Sequence, residues 1–195
     1  MTLDTRQGPQ RIVCLTEETT ETLYLLGEQD RIVGISGFTV RPPRARKEKP
    51  KVSAFTSAKI DKILALDPDL VLGFSDLQAD IAAQLIRAGV AVHVFNQRKV
   101  SGIFNMMCML GAMVAATTKT DTLIAGLHEG LADIERSAAT LPRRPHIYFE
   151  EWNEPLISGI GWVSELIAIA GGEDCFAELA QARSAKERII ADESE

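Results

Sequence analysis

Residues 11–36, RIVCLTEETTETLYLLGEQDRIVGIS, decide the fold. The run RIVCL at 11–15 is apolar and rich in β-branched residues, the pattern of a short buried strand. Thr16 and the acids Glu17, Glu18 and Glu21 then mark a helix start, where free backbone N–H groups favour side-chain oxygens and negative charge. Leu23-Tyr-Leu-Leu continues the helix and Gly27 stops it. RIVGIS at 31–36 is a second strand. A strand, a short helix and a second β-branched strand form the repeating unit of a parallel sheet covered by helices.

The same alternation continues downstream. Residues 41–47, RPPRARK, carry too much proline and charge for an element interior and read as a loop. Ile60, Ile63, Leu64 and Leu66 recur at helical spacing, Asp67-Pro68-Asp69 breaks the run, and LVLGF at 70–74 is a third strand. Residues 80–88 form an amphipathic helix ending at Gly89, and VAVHVF at 90–95 is a fourth strand. From residue 100 the strands disappear. Helices are expected at about 101–115 and 118–139. The second is long enough to connect two lobes, and Pro142 and Pro145 lie beyond its end. Methionines 106–113 read as core filler. A new α/β unit opens with the strand HIYF at 146–149 and the helix WVSELIAIA at 162–170, closed by Gly171-Gly172. Residues 188–195 read as a further helix start. The expected architecture is α/β: two Rossmann-like lobes with mainly parallel sheets joined by one long helix, the second lobe incomplete. Its boundaries are 9–98, 99–142 and 143–195.

Composition narrows the function. A net charge of −6 argues against a nucleic-acid partner, which needs a concentrated positive surface. Cys14, Cys108 and Cys175 form no CxxC pair and read as small buried hydrophobes. His93, His128 and His146 fall on two strands and one helix, a poor basis for a metal site. No phosphate-binding glycine loop and no GxSxG elbow occurs, so an enzyme is a remote alternative and no catalytic cofactor or metal is expected. No apolar run suits membrane insertion, and the polar N-terminus lacks the features of a signal peptide.

The order of motifs resembles that of class III, helical-backbone substrate-binding proteins of ABC importers, the TroA-like superfamily, and above all its cobalamin-binding members. The resemblance is carried by the opening stretch with Thr20-Glu21 and Gly27, by Lys51-Val-Ser53, by residues 60–66 with Asp67-Pro68-Asp69-Leu70-Val71, and by Trp162-Val163 with Ala170-Gly-Gly-Glu173. It implies a protein that captures a corrinoid such as cobalamin in a cleft between two lobes, either for membrane subunits of an importer or as a soluble carrier. An iron–siderophore or haem binder on the same scaffold is the alternative. Family aromatics map onto Phe38, Phe55 and Phe74, each beside a strand end and equally open to a role tucked under its own loop. Trp152, in the polar stretch EEWNE, is expected to meet ligand. Trp162 is either a helix staple or a contact, and the glycines before it could offer backbone amides to a ligand oxygen. The resemblance places transporter-docking acids at Asp61 and at Glu193 or Glu195; the plainer reading is a solvated helix charge. The basic loop formed by Arg41, Arg44, Arg46, Lys47, Lys49 and Lys51 could draw in an anionic ligand, but reads first as solvated charge. As written, the chain is expected in the cytoplasm; a removed leader would return it to the family's periplasmic location.

Overall fold

The computed structural model of the chain describes residues 8–191, which divide into two compact units. One comprises residues 8–96 with 105–123, the other residues 97–104 with 124–191.

The first unit follows the expected alternation. Its elements are β1 (Ile12–Cys14), α1 (Glu17–Leu25), β2 (Ile32–Ser36), α2 (Ala45–Glu48), β3 (Lys51–Ser53), α3 (Ile60–Leu64), β4 (Leu70–Phe74), α4 (Ala79–Arg87) and β5 (Val92–Phe95). The five strands form one all-parallel sheet in the order β3-β2-β1-β4-β5. The chain steps outward from β1 to β3, then returns to lay β4 on the other side of β1. β1 is fully buried, as a central strand covered on both faces must be. Val13, Leu15, Val52, Val71 and the helix residues Ile63, Ile81 and Leu85 make one apolar core.

α1 begins at the expected place by a different device. The Thr16 hydroxyl makes no cap bond and instead donates to Glu18 Oε1 at 2.8 Å. The loop expected at 41–47 contains the single-turn helix α2, held by the buried Ala45 and by the contacts of its arginines described below. β3, too short to show an alternation, was legible only as part of a motif.

The expected helix pair is present as α5 (Val100–Met113) and α6 (Thr117–Ala138). Where the two meet, in the first unit, Gly111 lies directly against Thr120. A Cβ built on Gly111 would overlap the Thr120 hydroxyl and lie 2.8 Å from its Cβ. Met106 is buried, whereas Met109 is exposed, so the methionine run is only partly core. Cys14 is the one buried cysteine; Cys108, on α5, and Cys175 are exposed, so the expected role of small buried hydrophobe holds for Cys14 alone.

The second unit is richer in strand than its sequence pattern showed. β6 (His146–Ile147) pairs in parallel with β9 (Glu173–Asp174), while β7 (Glu150–Asn153) and β8 (Leu156–Ser158) form an antiparallel hairpin. α7 (Gly161–Ile169) lies between β8 and β9 in the chain. The stretch EEWNE is therefore a strand entering a hairpin turn, not a loop. It has no apolar alternation because every residue of β7 is exposed. The helix expected from residue 188 is replaced by a 3-10 turn over Ala185–Arg188, after which Ile189 bridges Ile157 and the Ile190 N–H donates to the Leu156 carbonyl. Arg188 explains the change. It is 2% exposed, pairs with both carboxylate oxygens of Glu151 and donates to the Ser158 carbonyl, fixing this segment along the hairpin. Among the described residues no helix is long and apolar enough to cross a membrane.

Candidate functional site

In open parallel sheets, ligands gather outside the carboxyl ends of the strands, where the strand order reverses. Here that point lies between β1 and β4, and the sequence-predicted aromatics of the first unit cluster at this end of the sheet. Phe74 is the last residue of β4, Phe55 lies just beyond β3 and Phe38 just beyond β2. Phe38 is 56% exposed. Phe55 and Phe74 are half-buried and face each other with ring centroids 6.5 Å apart at 45°. None of the three belongs to the core.

Two residues hold this rim: Gln78, which the sequence does not single out, and Arg46, which reads there only as part of the basic loop. Gln78 is 0% exposed. Its Oε1 accepts from the Phe74 N–H at 3.0 Å, and its Nε2 donates to the Phe55 carbonyl at 2.8 Å and to the Leu15 carbonyl at 3.5 Å. Arg46 donates through Nη1 to the carbonyls of Gly37 and Thr39, both at 2.7 Å, so it clamps the backbone on either side of Phe38. A lone glutamine before a helix and one arginine in a basic loop carry no sequence signal for such roles.

Two further arginines of the basic loop are also engaged locally. Arg41 pairs with Glu21 at 2.9 Å, and Arg44 lies over the Tyr24 ring at 4.9 Å. Tyr24 donates its hydroxyl to Glu48 at 2.7 Å; burial and that carboxylate push its pKa up to about 12. The loop is thus braced through its arginines, while Lys47 and Lys51 are exposed, as solvated charge is expected to be.

Near β1, the buried Cys14 thiol is pushed up to about 12 by desolvation, despite hydrogen bonds with Thr19 and Thr20. It is a neutral packing group, not a nucleophile or a metal ligand. Away from the rim, burial opposes the charge of Glu28, but Lys119 and Arg31, each at 2.8 Å, outweigh it and hold its carboxyl below the usual range.

In the second unit Trp152 sits on β7 and is 61% exposed. Its indole N–H is spent on the Glu154 carbonyl at 3.0 Å, so the side chain offers a flat apolar face and no donor. Tyr148 is also exposed and donates to Glu150 at 2.8 Å, a bond that raises its pKa. Trp162 is the second residue of α7 and half-buried. The glycines before it do not form an open amide nest. A Cβ on Gly159 would meet Val163 at 2.9 Å and one on Gly161 would meet the Arg98 carbonyl at 2.5 Å, so both serve close packing.

Asp61 is exposed on α3. Glu193 and Glu195 lie outside the described residues. His93, His128 and His146 fall on β5, α6 and β6, and among the described residues no group of three or more His, Cys, Asp or Glu comes together to hold a metal ion. A groove of about 390 Å³ lined by Asp133, Ile134, Ser137, Ala138, Leu141 and Ala170 contains none of the aromatic candidates.

Known proteins share this chain's pattern. It is 30% identical over 142 residues to an uncharacterized ABC transporter substrate-binding lipoprotein, YvrC, of Bacillus subtilis, an alignment covering 71% of this chain and 45% of that protein. It is 23% identical over 188 residues to a cobalamin-binding protein of Halobacterium salinarum, covering 92% and 49% respectively. The fold matches that of the periplasmic heme-binding protein RhuT from Roseiflexus with a TM-score of 0.77 at 22% identity, over 90% of this chain and 69% of that one. The chain spans about half the length of the curated relatives it matches. The family model for periplasmic binding proteins matches residues 12–193, and the chain belongs to that family.

Proposed function

We propose that this chain binds a corrinoid of the cobalamin type and serves as the substrate-binding component of an ABC importer. The observation that carries the reading is the composition of the rim in the first unit. Its exposed and half-exposed groups include the aromatic rings of Phe38, Phe55 and Phe74, while Arg41, Arg44 and Arg46 make local contacts. A corrin is a large, largely apolar disc, and such a surface suits rings that lie against it. A siderophore carboxylate would call for guanidinium groups free to pair with it, whereas Arg41 is already paired with Glu21 and Arg46 with backbone carbonyls. Trp152 adds a flat apolar face in the second unit. The cobalamin-binding relative supports the ligand class, and the substrate-binding lipoprotein relative supports delivery to an importer. Hand-over through Asp61 belongs to the same proposal.

Haem is the second reading, and Tyr148 is what favours it. A tyrosine oxygen can ligate haem iron, and this one is exposed at the end of β6. Its bond to Glu150 works against the reading, because a raised pKa disfavours the phenolate that would ligate.

The deciding experiment titrates the chain with cyanocobalamin, hemin and a ferric hydroxamate siderophore, followed by absorbance and calorimetry. Saturable one-to-one binding of the corrinoid, with weaker binding of the others, is expected. Hemin binding that Tyr148→Phe abolishes, without corrinoid binding, would replace the first reading by the second.

A further inference from the structure

We propose that Gln78 is the positioning residue of the aromatic rim: its buried amide sets the placement of Phe55 and Phe74, and through them the affinity for a flat macrocyclic ligand. The ligand clause rests on the function proposed above; the positioning clause rests on geometry alone.

Three local features converge on this side chain. The first is space. Gly73 has no Cβ, and one built there would come within 2.7 Å of Gln78 Oε1, so only glycine at this point of β4 lets the amide lie against the strand. The second is the turn that brings Gln78 back beneath the sheet end. Ser75 has φ 60° and ψ 175°, a conformation that L-residues rarely adopt, and its hydroxyl accepts from the Leu77 N–H at 3.3 Å. Such backbone persists where the surroundings enforce it, and it is found most often at functional sites. The Ser75 N–H is tied to the Phe95 carbonyl at 2.8 Å, which anchors the turn to β5.

The third feature is the valence of the amide. Gln78 uses its carbonyl on the Phe74 N–H and its NH₂ on the carbonyls of Phe55 and Leu15, so it joins the ends of β4 and β1 to the loop after β3. That loop is a tight turn, closed by the Ala54 N–H to the Ser57 carbonyl at 2.7 Å, with Phe55 inside it. One side chain therefore holds the backbone of both facing aromatics. An ionised carboxylate could accept from Phe74 but has nothing to donate to Phe55, and an aliphatic group could do neither. Fixing the two rings before ligand arrives removes an ordering cost from binding.

The test uses Gln78→Leu, Gln78→Glu and Gly73→Ala, the last displacing the amide without changing its chemistry. Cyanocobalamin affinity is expected to fall about tenfold in each. In a Phe55→Ala/Phe74→Ala background Gln78→Leu should change affinity less than about twofold, because the rings through which it acts are gone. An equal loss in both backgrounds, or unchanged affinity in the parent, overturns the proposal. In parallel, 4-fluorophenylalanine placed singly at 55 and at 74 reports ring order by fluorine NMR without any ligand. Distinct resonances in the parent that move toward the solvent position in Gln78→Leu support the positioning role, and unchanged resonances refute it. Should the parent protein not bind the corrinoid, the functional reading fails while the fluorine spectra still decide the role of Gln78.

Discussion

Gly111→Ala tests the packing of α5 against α6, where the long helix begins. The added methyl would overlap the Thr120 hydroxyl and come 2.8 Å from the Thr120 Cβ. Thr120 cannot turn aside without loss: it is 1% exposed and its hydroxyl donates to the Ala116 carbonyl at 3.0 Å. Relief then requires the helices to separate or the hydroxyl to be orphaned, at a cost of about 3 kcal/mol. Replacing glycine by alanine in a helix returns about 1 kcal/mol. The net expectation is about 2 kcal/mol of destabilisation, or a fall in Tm of roughly 4–8 °C for a chain of this size. Urea unfolding followed by circular dichroism, with calorimetry to resolve separate transitions, measures it. Thr120→Ala should recover at least half of the loss, whereas Thr120→Ser, which keeps the offending oxygen, should not. Additive effects of Gly111→Ala and Thr120→Ala, or a neutral Gly111→Ala, would refute the reasoning.

Trp152→Ala and Phe55→Ala are each expected to weaken cyanocobalamin binding about tenfold while the protein stays folded, since neither ring lies in the core; normal titrations by both would remove them from the site. Because the Glu28 carboxyl is held below its usual range, its stabilising contribution is complete above the unfolded carboxylate pKa and is lost as pH falls through the lower folded value. Glu28→Gln should therefore reduce stability at neutral pH and converge with the parent on acidification, as read from urea midpoints across pH; a constant difference would contradict this. Arg188→Met leaves Glu151 without its partner and should cost about 3 kcal/mol, toward the lower end for a broken buried pair because Glu151 is partly exposed. Hydrogen exchange at the Ile190 amide, which bonds to Leu156, should accelerate; unchanged protection would mean that Arg188 does not hold the segment.

The legible parts of the chain were those with a burial period. β1, β2 and β4 are apolar because the inner strands of a parallel sheet are covered on both faces, β5 at the edge is less buried, and their order with α1 and α4 revealed the class. β7 hid because a hairpin strand with every residue exposed has no period to read, and its charges resemble a loop. The extended segment after Arg188 hid for another reason. RII followed by acids suits a helix start, but the buried pairing of Arg188 with Glu151 is non-local and overrides local preference. At the rim, Phe38, Phe55 and Phe74 could be singled out from the family resemblance, as rings beside strand ends, and their contact with ligand belongs to the proposed function. Gln78 and Arg46 could not, since their roles lie in which backbone groups they reach. Cys108 reads as core in the sequence because a helical cysteine between methionines looks buried until the face it occupies is known.

The exposure of two of the three cysteines has a practical use. Cys14 is buried with a neutral thiol, so maleimides and mild oxidants should pass it by. Cys108 and Cys175 are accessible, and they fall one in each compact unit. The unaltered chain therefore carries a natural pair of attachment points for a donor and acceptor dye or for two spin labels. A distance distribution recorded before and after adding a candidate ligand would report whether the two units move against each other, with no engineered cysteine to perturb either one.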